Sequence, residues 1–279
     1  MLIDPSGRRL ATVFHPDITR KKNKKPFALR LRRYFSEHGV IEESRATEWS
    51  QVHLVAKPTP GEWRFTLDFV RLNAATGGLE GWPIPNIQQT LQRLGTLKPK
   101  VFGLIDFTAG YHQTPLDPKS REFTAFITSS GLYQWTRVAM GLKGAGPYFQ
   151  RSMSSKVLAG LLYRICELYI DDVLIHGQTE CEFIANLRQV FERLRANNVA
   201  ANPRKTKLGL AQVEYVVHLV SSKGTSFTPE KRLKVLEFPR PATQKALLQF
   251  IGLANYFRDH VPHMTERCKP LRDMIPLSK

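Results

Sequence analysis

Residues 168–177 read LYIDDVLIHG, and Asp171 and Asp172 there set two carboxylates side by side between apolar, β-branched runs. That pattern predicts a strand, a tight turn and a second strand, with the acids at the tip. Adjacent carboxylates repel each other, so the turn loses stability unless a cation lies against it. A third carboxylate, Asp106, ends the apolar run 101–105, 65 positions before Asp171. Three aspartates at strand ends supply the hard oxygen donors needed by a pair of Mg²⁺ ions about 3.5–4 Å apart. Such a pair clamps the attacking and leaving oxygens of a phosphoryl transfer. An Asp-Asp pair alone is an ordinary solvated turn; the two strand contexts make this one specific.

The flanking patterns supply elements able to position these acids. A helix is expected over 28–40, ending near Gly39, then strands over 51–57 and 63–69 joined by a turn at 59–61. Ile87, Thr90, Leu91 and Leu94 share one helical face after Pro85. Phe149, Met153, Val157 and Leu161 do the same on a longer helix expected beneath the acidic strands. Phe183, Ile184, Leu187, Val190, Phe191 and Leu194 repeat the pattern after the hairpin. Such Met and Phe stripes are core positions. Thr228 before Pro229 predicts a helix start, and Thr243 caps another carrying Leu247, Phe250, Ile251 and Ala254. A sheet with helices gathered on one face is an α+β fold, and no internal repeat is present.

Composition narrows the partners. Lys and Arg number 41 against 24 Asp and Glu, a net charge of +17 that fits a polyanion better than a small neutral substrate. The densest run, RKKNKKPFALRLRR (20–33), holds eight basic residues and no acid. It reads as a disordered basic arm, as a template contact or as a nuclear-import patch. The N-terminus lacks an apolar signal core, and no apolar run is long enough to span a bilayer. An intracellular protein is expected, in the cytoplasm, virus-like particles or nucleus, and not a secreted one. Cys166, Cys181 and Cys268 lack metal-ligand spacing and are read as reduced thiols. His112 is expected to pack beside the Asp106 strand. GLKGAG (141–146) fits no phosphate-loop pattern and reads as a turn into a helix.

Several longer stretches then fall in a telling order: EWRFTLDFVRLN (62–73), GWPIPNIQQTLQRL (81–94), IDFTAGYHQTPLD (105–117), TAFITSSGLYQWTRVAMGLKGAGPYFQ (124–150), LYIDDVLIHG, VEYVVHLVSSKG (213–224) and FPRPATQKALLQFIGLANYFRDHVP (238–262). Together they resemble the reverse transcriptase of gypsy-type LTR retrotransposons, over about residues 30–276. The resemblance implies a right-hand polymerase fold of fingers, palm (an antiparallel sheet backed by helices) and a partial thumb/connection. On this reading 1–27 is the basic arm and 28–222 forms fingers (about 28–80 and 113–148) and palm (about 81–112 and 149–222). Residues 223–279 are the thumb/connection segment, ending ahead of an RNase H domain.

The resemblance also implies roles. Asp106 and Asp171 would ligate two Mg²⁺ ions, replaceable by Mn²⁺, with Asp172 the outer ligand. Lys57, Arg64, Tyr111 and Met140 would face the incoming dNTP. Tyr111 matches the aromatic that excludes a 2′-hydroxyl, although by residue type alone it is equally a core ring. Lys57 and Arg64 have the charge and reach to grip a triphosphate, or form a solvated face. Gln150, Tyr169, Tyr215, Val216 and Val217 would contact primer and template; Gln113 and Gln150 could equally be polar residues at an element's edge. The implied partners are an RNA or DNA template–primer and dNTPs, with no membrane, within a larger pol polyprotein.

Three positions depart from the pattern. Val217 stands where the family has Gly, Val70 stands where it has Arg, with Arg71 one place on, and Met140 replaces Phe or Gln. In addition Gly146-Pro147 displaces the usual Ala-Pro step. Two functions therefore stay open: an RNA-directed DNA polymerase, or an impaired or domesticated retrotransposon remnant that binds nucleic acid without extending primers.

Overall fold

The computed structural model describes residues 33, 35–56, 63–78, 81–107, 110–255, 257–258 and 261–275. The basic arm 1–27, Lys57 and the expected turn at 59–61 lie outside them. Of the helix expected over 28–40, residues 33 and 35–37 are helical, and Gly39 turns the chain with a φ of +61°. In chain order the strands are β1 (Ile41–Glu43), β2 (Gln51–Ala56), β3 (Trp63–Asp68), β4 (Val101–Asp106), β5 (Phe126–Thr128), β6 (Gly131–Trp135), β7 (Cys166–Tyr169), β8 (Asp172–Gly177), β9 (Lys207–Leu210), β10 (Gln212–Tyr215), β11 (His218–Ser221) and β12 (Gly224–Phe227). The helices are α1 (Val70–Ala75), α2 (Ile87–Leu97), α3 (Pro118–Arg121), α4 (Ala145–Ser152), α5 (Glu180–Ala196), α6 (Pro229–Leu236), α7 (Gln244–Asn255) and α8 (Met264–Asp273).

The central sheet is four-stranded, in the order β7-β8-β4-β9, and its described pairings are antiparallel. Alternation along its strands divides the core in two. Val173, Ile175 and Ile105 point to one face, where Phe149 of α4, Met153 just past its end, and Phe183, Val190 and Leu194 of α5 cover them. Leu174 and Phe102 point to the other, against Leu91 and Leu94 of α2 and Val213, Tyr215 and Val220 of the β10–β11 hairpin. The helices therefore flank both faces, one more than the sequence pattern implied. Gly103 on β4 is required by close packing: a Cβ there would stand 2.8 Å from the Phe183 ring of α5. Buried Glu167 on β7 is held by Arg93 of α2 through bonds of 3.0 and 2.7 Å, tying helix to sheet. Arg93 also lies over the Tyr163 ring, 4.4 Å from its centroid.

The long helix expected through Leu161 stops earlier. After α4 the Leu158 amide donates to the Met153 carbonyl at 2.8 Å, an i→i+5 bond that widens the last turn. Ser154 and Ser155 hydroxyls bond back to the Arg151 carbonyl, which loosens the regular ladder. Leu161 still reaches the same core from the turn beyond.

A second, three-stranded sheet (β1-β6-β5) and the β2–β3 hairpin share an aromatic core of Phe65, Phe126, Tyr133 and Trp135. His112, expected beside the Asp106 strand, lies in the turn that follows it, and its ring packs in this cluster, edge-on to Trp135 at 4.8 Å and near Phe35 at 5.6 Å. Burial pushes its pKa down to about 4. Strand β3 ends at Asp68, one residue short of expectation, and Phe69 starts α1. Val70 and Arg71 are thus helical. A one-residue shift from Val70 to Arg71 therefore turns the side chain by about 100° around a helix, and not to the opposite face of a strand as in a β element.

α6 starts at Pro229 after Thr228, and the Thr243 hydroxyl accepts from the Ala246 amide at the head of α7, both as expected. Cys166, Cys181 and Cys268 are free thiols. Among the described residues no helix is long and apolar enough to cross a membrane.

Candidate active site

The β7–β8 hairpin pairs Tyr169 with Asp172 and leaves Ile170 and Asp171 as a two-residue turn. Ile170 has a φ of +54°, a left-handed conformation that a β-branched residue adopts at a cost of about 1–2 kcal/mol. The Gln150 side chain, only 1% exposed, accepts a hydrogen bond from the Ile170 amide at 2.7 Å and braces the turn. Asp171 is thereby held outward at the tip and is exposed, while Asp172 is half-buried at the start of β8.

Strand register places Asp106 directly across from Asp172. Burial, then the charges of Asp171 and Asp106, push the Asp172 carboxyl up to about 6, opposed by Lys205. Like charges in cross-strand register are destabilising unless a cation intervenes. Lys205 supplies one, its Nζ 3.2 Å from Asp106 Oδ2. The loop carrying Lys205 hangs from the same residue: the Asn202 amide donates to the Asp106 carbonyl at 2.8 Å.

The donor chemistry suits Mg²⁺, three carboxylates with hard oxygens at neighbouring strand ends. They are not yet gathered: among the described residues no three acidic, His or Cys side chains stand close enough to hold an ion in common.

Tyr111 lies in the short turn Gly110–Gln113 that follows β4. Its ring packs on Phe149 at 5.4 Å, and its hydroxyl is pushed up by burial and by the Asp171 charge. The ring is thus both a core contact and a neighbour of the acids. Gln113 is occupied elsewhere, in reciprocal bonds of 2.9 and 2.7 Å with the Ala200 backbone. Met140 is 42% exposed, just before Gly141, whose φ is +93°. Arg64 is exposed on β3 across from Val55, and Lys57 falls outside the described residues.

The β10–β11 hairpin turns at Val216 and Val217, with φ of +45° and +65°. That is the sign pattern of a type I′ turn, which favours Asn-Gly or Gly-Gly and disfavours two valines. Tyr215 is 1% exposed and sits in the core against α2, so its side chain cannot offer a nucleic-acid contact. The same holds for Gln150, which faces the Ile170–Asp171 turn from inside. Tyr169, Val216 and Val217 remain partly exposed.

A family model described as reverse transcriptase (RNA-dependent DNA polymerase) matches residues 55–252. The chain belongs to the reverse transcriptase family. It is 32% identical over 242 residues to the retrovirus-related Pol polyproteins of transposons opus and gypsy from Drosophila melanogaster, covering 85% of this chain and 24% and 23% of those proteins. The chain thus spans about a quarter of the length of these relatives. A foamy viral protease-reverse transcriptase structure in complex with ds DNA superposes with a TM-score of 0.80 at 25% identity, over 93% of this chain and 44% of that one. The reverse transcriptase fold is therefore the α+β architecture described above. Within it, Lys205 and the brace from Gln150 are site features that the sequence pattern did not reveal. An Asn-Pro step at 202–203 marked a turn there but nothing about what the turn would reach.

Proposed function

We propose that the chain is an RNA-directed DNA polymerase, transferring a nucleotide from a dNTP to a primer 3′-hydroxyl on an RNA or DNA template. The observation that carries this reading is the register of Asp106 against Asp172 with Asp171 at the adjoining tip, in a chain of this family. Asp106, Asp171 and Asp172 would hold two Mg²⁺ ions, or Mn²⁺ in their place. Bound there, the metals would supply charge neutralisation at the attacking and leaving oxygens. Tyr111 would limit the space beneath the sugar, excluding the 2′-hydroxyl that separates ribo- from deoxyribonucleotides. Arg64, with Lys57, would hold the triphosphate, and Met140 would lie against the nucleotide. Val216 and Val217, with Tyr169, would face the primer. Tyr215 and Gln150 would act indirectly, by holding those turns.

In the same reading 28–80 and 113–148 are the fingers, 81–112 and 149–222 the palm, and 223–279 a thumb/connection segment of a longer pol polyprotein. The net charge of +17 and the ds DNA bound by the foamy viral neighbour support a nucleic-acid partner. Primer extension with Mg²⁺ and dNTPs on RNA and DNA templates tests the proposal; no extension with either metal despite template binding would overturn it. A second reading, the impaired remnant, is favoured by the left-handed Val216-Val217 turn where the family carries Gly at the second position.

A further inference from the structure

Lys205 touches Asp106 directly, and the proposed function leaves its part unassigned. We propose that Lys205 is a built-in, displaceable counter-ion: in the metal-free protein it holds Asp106, and a divalent cation must expel it to gather the three aspartates. The proposal rests on the metal-site reading.

Four observations combine. The Lys205 ammonium lies 3.2 Å from Asp106 Oδ2, while Asp106 faces Asp172 across the strands, so one cation already offsets the repulsion there. The three carboxylates do not yet form a common cage. The loop is anchored: Asn202 donates to the Asp106 carbonyl, and the Asn202 carbonyl accepts from the Lys205 and Thr206 amides at 3.2 and 2.9 Å. The Asn202 side chain also accepts from the Arg204 amide at 3.1 Å. Backbone and side chain thus reach the same aspartate, so the pairing is built into the loop. Yet the Lys205 side chain is 65% exposed, so the ammonium can swing into water with little loss. A doubly charged ion with hard-oxygen preference outcompetes a solvated ammonium for the same carboxylate. The latch would keep the acidic strand ends paired until metal arrives.

The test is Mn²⁺ binding to the full metal-free chain at pH 8, read from loss of the free-ion EPR signal, with no turnover involved. Parent, Lys205→Met, Lys205→Gln, Lys205→Arg and Asp171→Asn are compared, with circular dichroism to verify folding. The neutral variants should bind Mn²⁺ about two- to fivefold more tightly than the parent, the scale of an exposed ion pair, and Lys205→Arg should match the parent. Asp171→Asn should lose the site. Unchanged or weaker binding by the neutral variants, with the site still lost in Asp171→Asn, would overturn the latch and leave the metal site standing. Parent-like binding by Asp171→Asn would overturn both.

Discussion

Two hairpins in this chain solve the same geometric problem differently. Both β7–β8 and β10–β11 reverse in two residues, and both place β-branched residues in left-handed backbone. At Ile170 the strain is confined to one residue, which packs on the core and gives its amide to a buried glutamine. At Val216-Val217 it falls on two residues, and among the described residues no side chain hydrogen-bonds to either. What fastens the second hairpin is packing alone: Tyr215, one step back, is sunk in the core with Val213 and Val220, and Val216 of the turn packs against that cluster. Strain beside the aspartates is therefore locked by a dedicated hydrogen bond as well as packing, whereas strain in the other turn is held by packing alone. Strained backbone persists where its surroundings over-determine it, and only the first turn meets that condition fully.

The sharpest way to break the comparison is at the tip the first hairpin displays. Asp171→Asn should lower primer extension at least about a hundredfold while leaving folding and template affinity intact, because it removes a ligand charge from an exposed position. Parent-like extension would show that the braced turn displays nothing essential.

Next comes the brace. Gln150→Leu leaves the Ile170 amide without its acceptor and should destabilise the protein by about 1–3 kcal/mol in urea unfolding. If stability is unchanged, the two turns do not differ as described.

A smaller effect separates the turns directly. Val217→Gly should stabilise the chain by about 1 kcal/mol, since glycine removes the left-handed penalty at a half-exposed site. Ile170→Gly should give no such gain, because it also removes core packing. For activity, a parent that extends poorly and a faster Val217→Gly variant at similar template affinity would identify a damaged polymerase. A parent that extends well would show that two valines in this turn are tolerated.

The smallest effect is the pH response of the metal-free chain. Asp172, raised to about 6, keeps its proton in the folded state where the unfolded chain has lost it, so its contribution falls as pH rises from about 4 to 6. His112, lowered to about 4, takes up protons only on unfolding in the window up to 6.5, so its contribution rises with pH there. The two oppose each other. Asp172→Asn should steepen the gain in stability between pH 4 and 6.5, and His112→Phe should flatten or reverse it, as read by thermal melts across that range. Parallel profiles in both variants would remove this contrast between the acidic hairpin and the aromatic cluster.

Much of this molecule was legible in local sequence. The apolar runs around Asp171-Asp172 and before Asp106 fix alternating faces, so strands with acids at their ends follow from the residue order. The helical stripe of Ile87, Leu91 and Leu94 and the Thr243 cap are local patterns of the same kind. Strand handedness in the turns was not legible: Val-Val carries no turn signal, and the left-handed backbone at 216–217 is imposed by the register of the flanking strands. Nor was the helical start at Val70, where the Asp68 carboxylate accepts from the Val70 amide at 3.0 Å as the strand ends. Contacts between Gln150 and Ile170, and between Lys205 and Asp106 99 residues away, depend on which strands lie side by side. A one-dimensional pattern specifies local dihedrals and buried faces. Which charge meets which carboxylate is decided only when the sheet brings distant ends together.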